Sequence, residues 1–182
     1  MLEPIETEHL RLIPFTLELM QAALTDKDRL AQMLGVYVPA SWPGEDLAEA
    51  LPFFIHMTEQ HPEAGIWDGL IVHKADRVLI GDMGFKGGPD EHGMVEIGYS
   101  IVPEYQGSGY ATEMARALIA WAFSRPNIKV VTAECFDDNI GSIRVLEKVG
   151  MRRLEPEGNM LKWEIRRIGV STSELLEDVT DK

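Results

Sequence analysis

The feature that most constrains this fold is a glycine-rich hexapeptide, Gln106-Gly-Ser-Gly-Tyr-Ala111, set between two kinds of periodicity. Before it, residues 94–102 (MVEIGYSIV) alternate apolar and polar, the pattern of a half-buried strand. After it, residues 111–124 place Met114, Leu118, Trp121 and Ala122 on one side of a helix, with Glu113 and Arg116 away from it. Pro126 and Asn127 break that helix, and residues 128–136 read as the next strand. A crossover of this length brings the two strands side by side and parallel. The glycines permit dihedrals and close backbone approach that other residues resist. Free amides at the following helix N-terminus can receive a diphosphate without a lysine, although an empty strand-to-helix turn uses the same residues.

The flanking chain completes a sheet around this unit. Residues 9–13 (HLRLI) read as a short first strand ended by Pro14. Apolar residues at 17, 20 and 24 have helical spacing, and Asp26 or Asp28 is placed to cap a second short helix through Met33. Residues 35–44 (GVYVPASWPG) form a loop carrying Tyr37 and Trp42. Residues 45–60 return to a helical pattern, with Pro52 predicting a kink or a late start. Residues 65–73 and 77–85 form a hairpin, and the turn cluster at 86–93 leads antiparallel into residues 94–102. Residues 139–149 form a second crossover helix that buries Ile143, Leu146 and Val149 and is capped by Gly150. Residues 151–154 and 160–168 are terminal strands. This predicts one domain over residues 1–170 and a polar, acidic tail at 171–182.

Composition narrows the function. A chain of 182 residues suits a single core. Its longest apolar run is residues 117–123, against roughly 20 residues for a helix that crosses a bilayer. The opening MLEPIETEHL carries acids where a signal peptide carries bases, so no membrane and no export are expected. The net charge of −13 repels phosphate backbones and disfavours nucleic acid. The lone Cys135 cannot close a disulfide within the chain, which fits a cytoplasmic protein, and its place in a strand marks it as a core thiol.

Most familiar constellations are missing. There is no P-loop, no GxSxG elbow and no HExxH, and the five histidines lack ligand spacing, so no metal is expected. Residues 137–148 begin like a calcium loop but have Ser142 and Lys148 where that loop needs Gly and Glu.

The strand Glu96-Ile-Gly-Tyr, the loop Q-x-x-G-x-A at 106–111, the pair Asn139 and Ser142, and the closing Val149-Gly-Met151 follow one another in a set order. In that order they resemble the GNAT superfamily of acyl-CoA-dependent N-acetyltransferases, in particular the RimJ/RimL-like branch. The opening Glu6-Thr-Glu-His-Leu-Arg-Leu-Ile-Pro14 resembles that branch's first strand. The resemblance implies an α/β (α+β) fold: a mixed, splayed sheet of about seven strands with helices on both faces. It implies acetyl-CoA as co-substrate, its pyrophosphate on the amides of Gln106, Gly107, Ser108, Gly109, Tyr110 and Ala111. The pantetheine would pair with the backbone of Ile101 and Val102, with Asn139 and Ser142 beside it. Asn139 is equally a helix N-cap.

The implied reaction is direct attack of a primary amine, either a protein N-terminal α-amine or a small molecule, on the thioester. Glu96 is the candidate base, or a carboxylate that only orders water or pairs with a neighbour. Many relatives carry a Tyr seven residues after the Asn; here that position is Leu146. Ser142 is the candidate acid in its place, with Tyr110 a weaker one and a plain surface hydroxyl the alternative for Ser142. The missing phenol also leaves open a non-catalytic acyl-CoA-binding sensor or scaffold. A homodimer is compatible with the pattern.

Overall fold

The computed structural model describes residues 1–169; the tail expected at 171–182 lies outside them. Five strands run antiparallel from the N-terminus: β1 (Ile5–Glu6), β2 (Leu10–Pro14), β3 (Asp68–His73), β4 (Val78–Phe85) and β5 (Met94–Ile101). Helix α4 (Tyr110–Phe123) then crosses over to β6 (Val130–Phe136), and β5 and β6 are parallel as the crossover requires. β7 (Arg152–Arg153) and β8 (Met160–Arg166) return antiparallel, giving the order β1-β2-β3-β4-β5-β6-β8-β7. The sheet has eight strands where about seven were expected. The eighth is β1, whose two residues are too few to show a period.

Alternation assigns each side chain to a face. On one face Phe85 of β4 stacks against Trp121 of α4, ring centroids 6.4 Å apart. Met114, Leu118 and Ala122 of α4 are fully buried. Helix α5 (Ile140–Lys148) follows β6 and meets α4 on the same side. It buries Leu146 fully and Ile143 and Val149 only in part.

The other face of the N-terminal half carries α1 (Leu17–Thr25), α2 (Lys27–Leu34), α3 (Glu45–Gln60) and the loop before α3. Trp42 of that loop is fully buried beside Phe15, ring centroids 6.2 Å apart. On the same face of the C-terminal half the side chains are charged: Glu134 pairs with Lys162, and Glu164 with Arg152 and Arg166.

Helix ends follow the residues available to cap them. Thr16 Oγ1 accepts from the Leu19 N–H, Asp26 Oδ1 from the Arg29 N–H and Asn139 Oδ1 from the Ser142 N–H. Pro52 does not delay α3, which begins at Glu45. The bond Pro52 cannot make belongs to the carbonyl of Ala48, itself an exposed residue, so solvent can satisfy it. Pro14 sits within β2 as its last residue, opposite Gly69. Among the described residues no helix is long and apolar enough to cross a membrane.

Candidate active site

The parallel pair that joins the two halves of the sheet is short. β5 and β6 share only three residue pairs, Met94 with Val130, Val95 with Val131 and Glu96 with Thr132. Beyond them β5 continues along β4 to Ile101, while β6 continues along β8 to Phe136. The strands diverge, and among the described residues no strand fills the wedge between 97–101 and 133–136.

Hydrogen-bond parity shows which backbone groups face this wedge. In an antiparallel pair alternate residues exchange bonds and the others point away. The Val102 N–H donates to the Ile80 carbonyl at 2.8 Å, and the Lys86 N–H to the Glu96 carbonyl at 2.9 Å. Positions 96, 98, 100 and 102 therefore serve β4; the Ile97 N–H makes the last bond of the β5–β6 ladder, to the Thr132 carbonyl, and the N–H groups of Tyr99 and Ile101 face the wedge. Ile101 thus presents its N–H to the wedge, whereas Val102 has its N–H engaged with β4. Tyr99 points toward α5, its Oη 3.5 Å from the Ser142 carbonyl, and burial pushes its phenol up to about 12.

The glycine-rich loop opens at the end of β5. Gln106 closes the strand: its Nε2 donates to the Ile101 carbonyl at 2.8 Å, and its N–H to the Pro103 carbonyl at 3.3 Å. The free amides therefore begin one residue later than expected. Among the described residues no backbone carbonyl accepts from the N–H groups of 107–112. Gly107 and Gly109 have φ of +76° and +87°, a region that side chains resist. A Cβ on either would meet nothing within 4 Å, so the loop's outer side is open. Six unpaired donors at the positive end of a helix of 14 residues form a cradle for an anion.

Beside the cradle lies a cavity of about 420 Å³ lined by Gly109, Thr112, Glu113, Arg116, Glu8 and Lys148. Arg116 Nη2 donates to the Lys148 carbonyl at 2.7 Å, which ties α4 to α5 and holds two cations beside the loop. The helical period places Arg116 away from the apolar face of α4 and gives it no further role. Its spacing, four and seven residues after Thr112 and Gly109, is the signal that places it on the loop's side of α4. Glu113 is turned from the cradle to the N-terminal segment, accepting from Thr7 Oγ1 at 2.6 Å and the His9 N–H at 2.9 Å. Burial works to raise its pKa, but these bonds together with the His9 ring hold it below the usual carboxylate value.

Glu96 and Ser142 lie on opposite faces of β5. Glu96 shares a face with Gly98 and Ser100 and is ion-paired with Lys86. Ser142, half-buried in the first turn of α5, stands beside Tyr99 on the other. Asn139 caps α5. Leu146, the position to which the sequence resemblance assigns a phenol, is buried. Tyr110 packs on His73 and Tyr105 at the start of α4. Cys135 is buried, which raises its thiol pKa, and it is a core residue as expected.

Sequence reading missed a group of polar side chains on the Glu96 face. Asp82 of β4 is buried, and its Oδ2 accepts from Ser100 Oγ at 2.8 Å and Trp42 Nε1 at 3.1 Å. Asp68 lies over Gly84, where a Cβ would stand 2.3 Å from the Asp68 Cα. A Cβ on Gly98, between Glu96 and Ser100, would meet nothing within 4 Å. That empty space is bordered by Glu96 and Lys86 at one end and Ser100 with Asp82 at the other.

The sequence profile of the acetyltransferase (GNAT) domain matches residues 9–152. The chain belongs to the GNAT acetyltransferase family. It is 37% identical over 147 residues to the uncharacterized N-acetyltransferase YjdG of Bacillus subtilis, covering 80% of this chain and 88% of that one. Among solved structures it is similar to a putative ribosomal-protein-serine acetyltransferase from Vibrio cholerae, with TM-score 0.64, 20% identity and coverage of 90% and 97%. It is also similar to RimL, the ribosomal L7/L12 alpha-N-protein acetyltransferase, in complex with coenzyme A, with TM-score 0.61, 17% identity and coverage of 90% and 98%. At those identities the likeness establishes the fold. The family and its curated relatives make this chain an N-acetyltransferase with the GNAT architecture.

Proposed function

We propose that the chain transfers the acetyl group of acetyl-CoA to a primary amine presented on the Glu96 face of β5. The observation that carries this reading is the wedge between β5 and β6 opening beside the unpaired amides of 107–112. An extended pantetheine could pair with the wedge-facing groups of β5 while a diphosphate sits in the cradle. Arg116 and Lys148 lie close enough to the cradle to meet further phosphate charge. The solved relative that carries coenzyme A has the same fold.

Acetyl-CoA would supply a thioester, activated for attack at its carbonyl carbon. The chain's own residues supply the rest. A wedge-facing N–H of β5 donates to the carbonyl oxygen as it gains charge. The space over Gly98 admits the amine, and Glu96 attracts it as an ammonium. On the opposite face Ser142 is the proposed proton donor to the departing thiolate. A protein α-amine and a small-molecule amine fit this arrangement equally. A homodimer is neither required nor opposed by it, and a cytoplasmic location follows from the acetyl-CoA supply.

The test is thiol release from acetyl-CoA with a panel of small amines and N-terminal peptides, with the acetylated product identified by mass. Turnover with at least one primary amine is expected. Tight coenzyme binding with no release across the panel would favour a sensor or scaffold instead.

A further inference from the structure

Resting on the reading above, the geometry points to Ser100 and Asp82 as the route by which the acceptor ammonium loses its proton: Ser100 touches the amine, and Asp82 receives the proton through it.

Four observations place them there. Ser100 lies on the same face of β5 as Glu96, with open space over Gly98 between the two. Two residues along a strand span roughly 7 Å, so an amine over Gly98 is within reach of both side chains. The Ser100 hydroxyl donates to Asp82 Oδ2 at 2.8 Å, which leaves its lone pairs free to accept from the amine. Trp42 Nε1 donates to the same carboxylate oxygen, so the loop before α3 fixes the Asp82 rotamer. Glu96, by contrast, has its carboxylate engaged in an ion pair with Lys86.

The protons balance. The acceptor arrives as R–NH3+. One proton moves to Ser100 Oγ as the serine's own proton moves to Asp82, leaving R–NH2 and a neutral carboxylic acid. The nitrogen lone pair forms the N–C bond, the C–S bond breaks, and its electron pair leaves on sulfur. Amide formation sheds a second nitrogen proton, matching the one the thiolate takes up. Asp82 later returns its proton to solvent.

Asp82 is suited to that task. Burial raises its pKa to about 6, against the hydrogen bonds from Ser100 and Trp42. The charged and titratable groups around it are few. Asp68 faces it from β3, and Lys86 and Glu96 form the pair at the far end of the space over Gly98. Lys27 of α2 reaches only the carbonyl of Trp42. A base with a pKa near working pH is the one best matched to general base catalysis.

The experiment compares wild type, Ser100→Ala, Asp82→Asn and Glu96→Gln in kcat/KM against pH, using an amine that wild type acetylates. It is paired with a 13C-carboxyl NMR titration of Asp82 in wild type and Ser100→Ala without coenzyme. Wild type should show an acidic limb near pH 6. Ser100→Ala and Asp82→Asn should lose that limb and fall about 10²-fold in rate, with coenzyme affinity kept. Glu96→Gln should keep the limb and raise KM for the amine. By NMR, Asp82 should titrate near 6 and move upward when the Ser100 hydroxyl is removed. Ser100→Ala removes one hydroxyl, so the test survives if Asp82→Asn fails to fold. A limb retained in Ser100→Ala and lost in Glu96→Gln would overturn the proposal, as would an Asp82 that titrates in the ordinary carboxylate range. Wild type inactive with every amine would count against acetyl transfer itself, and the NMR titration would still judge the Ser100–Asp82 relay.

Discussion

Glu96 and Thr132 are the last residues that β5 and β6 hold opposite one another. Each strand then follows its other neighbour, β4 or β8. That parting opens an ordinary crossover unit into a wedge, because it leaves backbone donors and acceptors without partners at the edge of β5. Unpaired groups of that kind are costly unless water or a ligand meets them. The same three-residue contact places Glu96 at the apex, where the amine and the thioester would meet.

The loop supplies the first consequence. Gly109 combines φ of +87° with an open outer side. Gly109→Val is expected to fold, with a lower Tm from the strained backbone. Its side chain would stand in the cradle and weaken acetyl-CoA binding at least tenfold, about 1.4 kcal/mol. Isothermal calorimetry on the folded variant measures it, and unchanged affinity would remove the loop from the site.

Arg116 provides a test that does not alter the loop. Arg116→Glu should weaken coenzyme binding at low salt by about tenfold or more, with the deficit shrinking as salt rises. Arg116→Gln should lie between that and wild type, because it removes the charge without reversing it. Affinity that ignores the sign of residue 116 would place the phosphates elsewhere.

Ser142→Ala leaves the cap of α5 intact, because Asn139 accepts from the Ser142 backbone N–H and not from its hydroxyl. Its Tm should therefore match wild type. If the hydroxyl protonates the thiolate, kcat should fall by a factor on the order of 10²–10⁴ with coenzyme affinity unchanged. Full activity would leave the proton to solvent.

Stability should carry the mark of the two aspartates on the Glu96 face, buried Asp82 and half-buried Asp68. Asp68 is raised to about 7, first by burial and then by the charge of Asp82, against the Gly69 N–H. An acid with a raised folded pKa binds more protons folded than unfolded between its two pKa values. Stability then falls as pH rises through that window, here from the unfolded value of roughly 4 up to about 7. Asp68→Asn removes the cost. Its Tm relative to wild type should climb between pH 4 and pH 7 and stay level above. A difference independent of pH would show that Asp68 titrates normally.

How much of this was readable in the sequence follows from distance along the chain. The strand, loop and helix around Gln106 are contiguous, so their periods and glycines are visible in a window of about 40 residues. Register is not. Whether Ile101 or Val102 presents its N–H to the wedge depends on which of them bonds to Ile80. Asp82, Ser100 and Trp42 come from three separate segments, and only the folded sheet joins them. Asp82 reads in sequence as one polar residue in an apolar run, with no sign that it is buried. Leu146 was legible as a departure, because its neighbours fix its position in the helix.

Hydrogen–deuterium exchange with and without acetyl-CoA tests the central claim most directly. The amides of 107–112 have no backbone acceptor, and those of Tyr99 and Ile101 face the wedge. Both groups should exchange fast in the free protein and become protected together when acetyl-CoA binds. The amides of Glu134 and Phe136, on the other wall of the wedge, should slow with them. Binding without protection at both the loop and the β5 edge, or protection confined to another part of the sheet, would contradict the account.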